Sequence, residues 1–203
     1  MSNQIFFIFD SHCPWSYATT PLLQAIQQAY PDMPIHLLHA AYYDGGENIG
    51  IKTIEQVEAD SHVSFSANYH AQRKIGADST ICANLIAWAQ NKLPHQVLDI
   101  VCMMQDLHFQ QGLTLREEDD FADLVKHFKL SAPKKAFAGD KLSKDAEENL
   151  LGVEELQEVI ETQSIPALLL AKGDELILLN HHLYLKHPEK IVEAVELELA
   201  DHH

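Results

Sequence analysis

Cysteine is scarce in this chain. Cys13, Cys82 and Cys102 are three in 203 residues, an odd number that builds no disulfide framework and no zinc spacing. Basic residues are few as well: 14 Lys and Arg stand against 30 Asp and Glu, a formal net charge of -16. That balance excludes nucleic acid and anionic membrane surfaces as partners, since both need clustered Lys and Arg. No apolar run approaches the ~20 residues of a membrane span. The opening run QIFFIF is shorter than a signal h-region and meets Asp10 at once. The expected setting is therefore reducing and cytoplasmic. Gly45-Gly46 lacks the Lys and the following helix of a phosphate loop. No internal repeat, low-complexity linker or local metal-ligand spacing occurs. The terminal His202 and His203 are set aside from the fold reading.

What is present is an ordinary globular composition, 46% hydrophobic and 22% charged, which is enough for one large domain or a small domain with an insertion. Gln4 to Phe9 reads as a buried strand. Pro14 opens a helix through Tyr17, Leu22, Leu23 and Ile26, which Pro21 is expected to bend. Ile35 to Ala40 reads as a second strand and Tyr42 to Gly50 as a Gly-rich loop. From about Lys52 to Gln163 the pattern is helical. One long polar helix is expected over Lys52–Ile75, and another over Ile81–Asn91 with Ser79 as its cap. A third is expected from Pro94, and a fourth from a Thr114–Glu117 capping box. A last one starts at Ser143 or Asp145, with Gly152 as a break. Then the period changes: Ala167–Ala171, a Lys172-Gly173-Asp174 turn and Glu175–Leu179 read as a β-hairpin. Pro188 starts a closing helix.

The chemistry centres on DSHCPWSY, residues 10 to 17. Cys13 stands between a strand end and a helix start. Unpaired N–H groups and the positive end of the helix dipole favour thiolate there, lowering a cysteine pKa from about 8.5 to roughly 3.5–7.5. Ser16, one turn on, is placed to donate a hydrogen bond to that sulfur but cannot close a disulfide with it. The plainer reading of Cys13 is an inert buried thiol. Cys82 and Cys102 lie on apolar helix faces and read as core. Trp15 reads as a partly exposed aromatic at the site.

Two further stretches bear on Cys13. Ser164-Ile165-Pro166 precedes the hairpin, either as a simple helix stop or as a cis-proline loop that aims Ile165 backbone outward beside the thiol. His12 has two readings: protonated, it would stabilise the thiolate, or its side chain turns away. His181 and His182 read first as surface or cap residues. The acidic run Glu117 to Asp120 reads as a solvated helix start.

Strand, Cys-Pro-Trp-Ser, helix, strand, long helical block, Ile-Pro, hairpin and helix together resemble the DsbA-like branch of the thioredoxin superfamily. The likeness is to its protein-disulfide-isomerase-type members, and Cys13, Trp15, Tyr17 and HHLYLKHPE (181–189) carry it. It implies an α/β thioredoxin-like fold from residues 1–50 and 164–203 with a helical insertion at 51–163. It implies Cys13 as nucleophile, with Pro14, Trp15, Ile165 and Pro166 at the substrate. The departure is Ser16, which stands where the family's second cysteine belongs. The kappa-class glutathione transferases and 2-hydroxychromene-2-carboxylate isomerases are similar too, through Pro14, Trp15 and Ser16. They use serine at the first position, and their Ser-Asp glutathione contact would fall near His181-His182, where no Asp stands.

The function expected is a single-cysteine thiol-disulfide oxidoreductase or isomerase acting through mixed disulfides. Cys13 and Ser16 would be its catalytic pair, with no metal or bound organic cofactor and with glutathione as a cosubstrate. The alternatives are a glutathione-dependent transferase or isomerase, homodimeric by analogy, and a redox-silent peptide-binding module.

Overall fold

The protein is described here from a computed structural model covering residues 3–200; His202 and His203 lie outside the described residues. In chain order its elements are β1 (Gln4–Phe9), α1 (Pro14–Ala29), β2 (Ile35–His39), β3 (Asp44–Glu47), α2 (Ile51–Asp60), α3 (Ala67–Gln72), β4 (Ala77–Asp78), α4 (Thr80–Lys92), α5 (Val97–Phe109), α6 (Ala122–Phe128), α7 (Lys144–Val159), β5 (Ala167–Lys172), β6 (Glu175–Leu179) and α8 (Ile191–Leu199).

The main sheet has the order β2-β1-β5-β6. β1 pairs parallel with β2, Phe7 opposite Leu37, and antiparallel with β5, Phe7 opposite Leu168. As a central strand it is covered on both faces, which is why it reads as an unbroken apolar run rather than an alternating one. Ile5, Phe7 and Phe9 face the larger core with Leu22, Leu23 and Ile26 of α1. Ile8 faces a smaller cluster with Val153 of α7 and Leu169. The larger cluster runs without interruption from the sheet into the helical block, through Ile54, Leu85, Val101, Leu107 and Phe121. The free edge of β2 is stopped by side-chain amides: the Leu37 N–H donates to Gln90 Oε1 at 3.2 Å, and Asn149 Nδ2 donates to the His39 carbonyl at 3.3 Å.

The sequence expectations hold for β1, β2, α1, the β5–β6 hairpin and the Ser143 start of α7, whose hydroxyl accepts the Ala146 N–H. Others are corrected. The helix over 52–75 is two helices. Ser61 Oγ bonds back to the Val57 carbonyl at 2.6 Å as α2 ends, and Ser66 caps α3 by accepting from Tyr69 N. Ser79 does not cap α4 with its side chain, because its hydroxyl is spent on Asp10. Thr114 also makes no capping box; it donates to Asp120, and a 3-10 turn over Glu118–Phe121 precedes α6. The third helix starts at Val97, three residues beyond Pro94, and α7 runs straight through Gly152. The Gly-rich loop contains β3, paired with β4. Gly76 permits that pairing, since a Cβ there would lie 2.1 Å from the Gly45 carbonyl oxygen.

Candidate active site

Cys13 is the N-cap residue of α1, extended at φ -82 and ψ 119, with Pro14 in the first turn. Its N–H donates to the Asp10 carbonyl at 3.1 Å, closing a tight turn between strand and helix. The sulfur therefore sits over the helix N-terminus, where the Ser16 hydroxyl and the N–H groups of Ser16 and Trp15 support its thiolate. Ser16 Oγ also accepts the Asp10 N–H at 3.3 Å, which ties the first turn of α1 back to the end of β1.

The expected low thiol pKa is not what this environment gives. Cys13 is only 5% exposed, and desolvation pushes its pKa up; the Ser16 and Trp15 hydrogen bonds oppose that rise, and the Asp10 charge adds to it. The helix start lowers the cost of the thiolate without overcoming burial, so the resting group is a thiol.

What access the sulfur has is through a groove of about 520 Å³ lined by Cys13, Trp15, Tyr42, Tyr43, Gln163, Ser164 and Ile165. The Ile165–Pro166 bond is cis. Residues about 150 positions apart in sequence thus share one wall. Of the residues expected to meet substrate, Trp15 and Ile165 line the groove, while Pro14 and Pro166 are buried and do not; Ser16, expected as the catalytic partner of Cys13, is buried too. A concavity of about 580 Å³ lies elsewhere, along β2 between Pro31 and Leu98; Asp32, His36 and His95 are in its wall, but no cysteine is.

Behind Cys13 the sequence reading missed a buried polar hub. The Asp10 carboxylate, fully buried, accepts from His12 N at 2.8 Å on Oδ1, and from Tyr42 N at 2.8 Å and Ser79 Oγ at 2.7 Å on Oδ2. It ties the end of β1, the 40s loop and the start of α4 to one point. Ser11 Oγ lies between His39 Nε2, at 2.9 Å, and His12 Nδ1, at 3.1 Å. The other His12 nitrogen, Nε2, is 2.9 Å from the Thr114 carbonyl, and its ring packs on His108 with centroids 4.0 Å apart. An Asp directly after an apolar strand and three residues before a cysteine was the one available signal. His39, Ser79, Tyr42 and Tyr43 come from other segments and gave none.

His12 is accordingly corrected as a charged neighbour of the thiolate. Burial lowers its pKa despite Asp10, and both ring nitrogens are engaged away from the sulfur. Burial likewise lowers His39 and takes His108 well below the ordinary histidine value. His181 and His182 do not line the groove. His181 is buried, its pKa pushed down to about 4 by desolvation and then by His182. His182 meets the edge of Trp15, with centroids 5.4 Å apart. Cys82 is fully buried and Cys102 half-buried with its pKa pushed up to about 12 by burial, which fits the core reading of both.

No protein-family model and no curated protein matches the chain. Solved structures do. The cytosolic disulfide reductase DsbM from Pseudomonas aeruginosa superposes with a TM-score of 0.80 at 18% identity, over 97% of this chain and 100% of that one. The same protein with GSH gives 0.78 at 16%, over 97% and 98%. A candidate protein disulfide isomerase from Nitrosomonas europaea gives 0.70 at 14%, over 99% and 100%. The fold is thus α/β, thioredoxin-like with a helical insertion, as in DsbA-like thiol-disulfide oxidoreductases.

Proposed function

We propose that the chain is a thiol-disulfide oxidoreductase that works through the single sulfur of Cys13. The observation that carries this is the placement of Cys13 at the start of α1 in the same groove as Ile165 of the cis Ile165–Pro166 loop. The Ile165 backbone would be the edge along which an extended substrate lies. Trp15 and Tyr43 would flank the disulfide, and the helical block 51–163 would form the cover.

The exchange has two steps. The Cys13 thiol loses its proton to solvent, and the thiolate attacks a substrate disulfide; a bond to Cys13 forms, the substrate S–S bond breaks, and one half leaves as thiolate and takes up a proton. A second thiolate from outside then attacks the mixed disulfide and frees Cys13. Glutathione is the small thiol we assign to that second step, supported by the DsbM structure that contains it. A raised thiol pKa slows deprotonation but makes the thiolate more nucleophilic. A cytoplasmic location is supported by DsbM being cytosolic, although a periplasmic thioredoxin-like protein from Salmonella enterica shares the fold at a TM-score of 0.52.

The high, near-buried thiol favours a second reading: a groove that holds an extended peptide without exchange. The test treats the reduced protein with glutathione disulfide across a pH series and weighs the Cys13 peptide. A mixed disulfide that grows with pH and is absent from Cys13→Ser supports thiol exchange. A Cys13 that stays unmodified at alkaline pH while peptide binding persists establishes the second reading instead.

A further inference from the structure

We infer that the chain holds a second binding site, a narrow cavity beside α3 that takes one small anion of about halide size. Tyr69, Gln72, Arg73, His12, His108 and Thr114 stand in its wall, which shares no residue with the Cys13 groove. Its volume is about 10 Å³, room for roughly one water-sized sphere. Among the described residues five buried side-chain polar atoms have no hydrogen-bond partner in the chain, and three of them are Tyr69 Oη, Gln72 Nε2 and Arg73 Nε. Positions 69, 72 and 73 are spaced i, i+3 and i+4, which puts them on one face of α3 and its C-cap. Tyr69 is fully buried. Buried polar groups are nearly always paired, so three orphans in one wall call for a shared partner.

The chemistry of the three selects the partner. Gln72 Nε2 and Arg73 Nε can only donate, and the Tyr69 hydroxyl has a proton of its own to give. That excludes a cation. A water molecule offers two lone pairs to three donors and leaves one proton orphaned, whereas an anion accepts all three. Charge points the same way. The chain has only two arginines, Arg73 and Arg116, against 30 Asp and Glu. Arg73 stands in the wall, and its charge acts on the Tyr69 phenol. Arg116 Nη1 donates to the carbonyl of Gly76, another wall residue, at 3.4 Å. Among the described residues neither arginine makes an ion pair. No Asp or Glu lines the cavity; Asp10 and Asp78, whose charges reach His12, accept the N–H groups of His12 and Thr80 instead. The wall histidines spend their protons on carbonyls, His12 Nε2 on Thr114 and His108 Nδ1 on Leu113, so the positive charge is the arginines' own. The carbonyls that end α3 do not oppose it, because Tyr69 O accepts the Arg73 N–H at 2.9 Å and Gln72 O the Ile75 N–H at 2.8 Å.

The test uses the full chain and does not depend on exchange at Cys13. Chloride-35 NMR should show the chloride line broadened by the protein. Bromide at matched ionic strength should reverse the excess, and sulfate, too large for the cavity, should not. Tyr69→Phe keeps the ring and removes one donor; Arg73→Gln removes the charge. Each should cut the excess broadening severalfold. Lys74→Gln, an exposed charge next in sequence but outside the wall, should leave it unchanged. Chloride at ten times its dissociation constant should also raise the folding equilibrium constant of the parent about elevenfold over gluconate at the same ionic strength. Tyr69→Phe should lack that gain while folding at least as well as the parent in gluconate, since it sheds an orphaned hydroxyl. In crystals grown with bromide, an anomalous peak should lie against Tyr69 Oη and Arg73 Nε. Water alone at that position, displacement of chloride by sulfate, or broadening that Tyr69→Phe and Lys74→Gln affect equally overturns the inference.

Discussion

Asp10→Asn should make the protein less stable and its thiol more acidic at the same time. The carboxylate accepts three hydrogen bonds from a fully buried position. An amide has one oxygen. In its better orientation that oxygen keeps the Tyr42 N–H and the Ser79 hydroxyl, and the NH₂ group faces the His12 N–H, donor against donor. One orphaned buried N–H costs about 1–3 kcal/mol, and loss of charge assistance in the other two bonds adds roughly 0.5 kcal/mol each. The sum is about 3 kcal/mol, or roughly 6–12 °C in melting temperature for a chain of this size. Meanwhile the negative charge that disfavours the Cys13 thiolate is gone, so the pKa of Cys13 falls. Urea unfolding reads the first effect, and the pH profile of iodoacetamide alkylation at the Cys13 peptide reads the second. Stability within about 0.5 kcal/mol of the parent would show that the three bonds do not hold the segments together. An alkylation profile shifted to higher pH, or not shifted, would refute the electrostatic half.

Ser16→Ala removes the hydroxyl that supports the thiolate, so the alkylation rate of Cys13 near neutral pH should fall roughly threefold to tenfold. Ser16→Cys should yield an intramolecular disulfide on mild oxidation, detected as protection of Cys13 from alkylation until reductant is added. His181 stays neutral in the fold down to about pH 4, whereas the unfolded chain protonates it from about 6.5; stability is therefore full above that value and lost as pH falls toward 4. Its share is about 1.4 kcal/mol by pH 5.5 and about 3 kcal/mol near pH 4, and a His181→Asn chain should lack that slope in urea midpoints. Glu161→Gly should raise the melting temperature, by relieving a left-handed non-glycine residue worth about 1 kcal/mol; an unchanged or lower value would sink that account.

The sequence by itself determined the elements whose signals are local. Ile5–Phe9 is an unbroken apolar run because both faces of a central strand are covered; Pro14 marks a helix start through its ring and Ser143 through its hydroxyl; and a two-residue Gly173-Asp174 turn between two apolar runs makes a hairpin. The order of those elements was enough to place the fold, and a cysteine at the first strand–helix junction stands where the structure has Cys13, at the N-cap of α1. Where a polar side chain spends its hydrogen bond was decided elsewhere. Ser79 looks like a helix cap and serves Asp10 instead; Thr114 looks like one and serves Asp120. The acidity of Cys13 was decided there too. Position on a helix N-terminus argues for thiolate, and that much is local. Desolvation depends on how closely distant segments close over the sulfur, and the Asp10 charge that adds to it is held by two of them, the 40s loop and the start of α4, so the raised pKa is a property of packing.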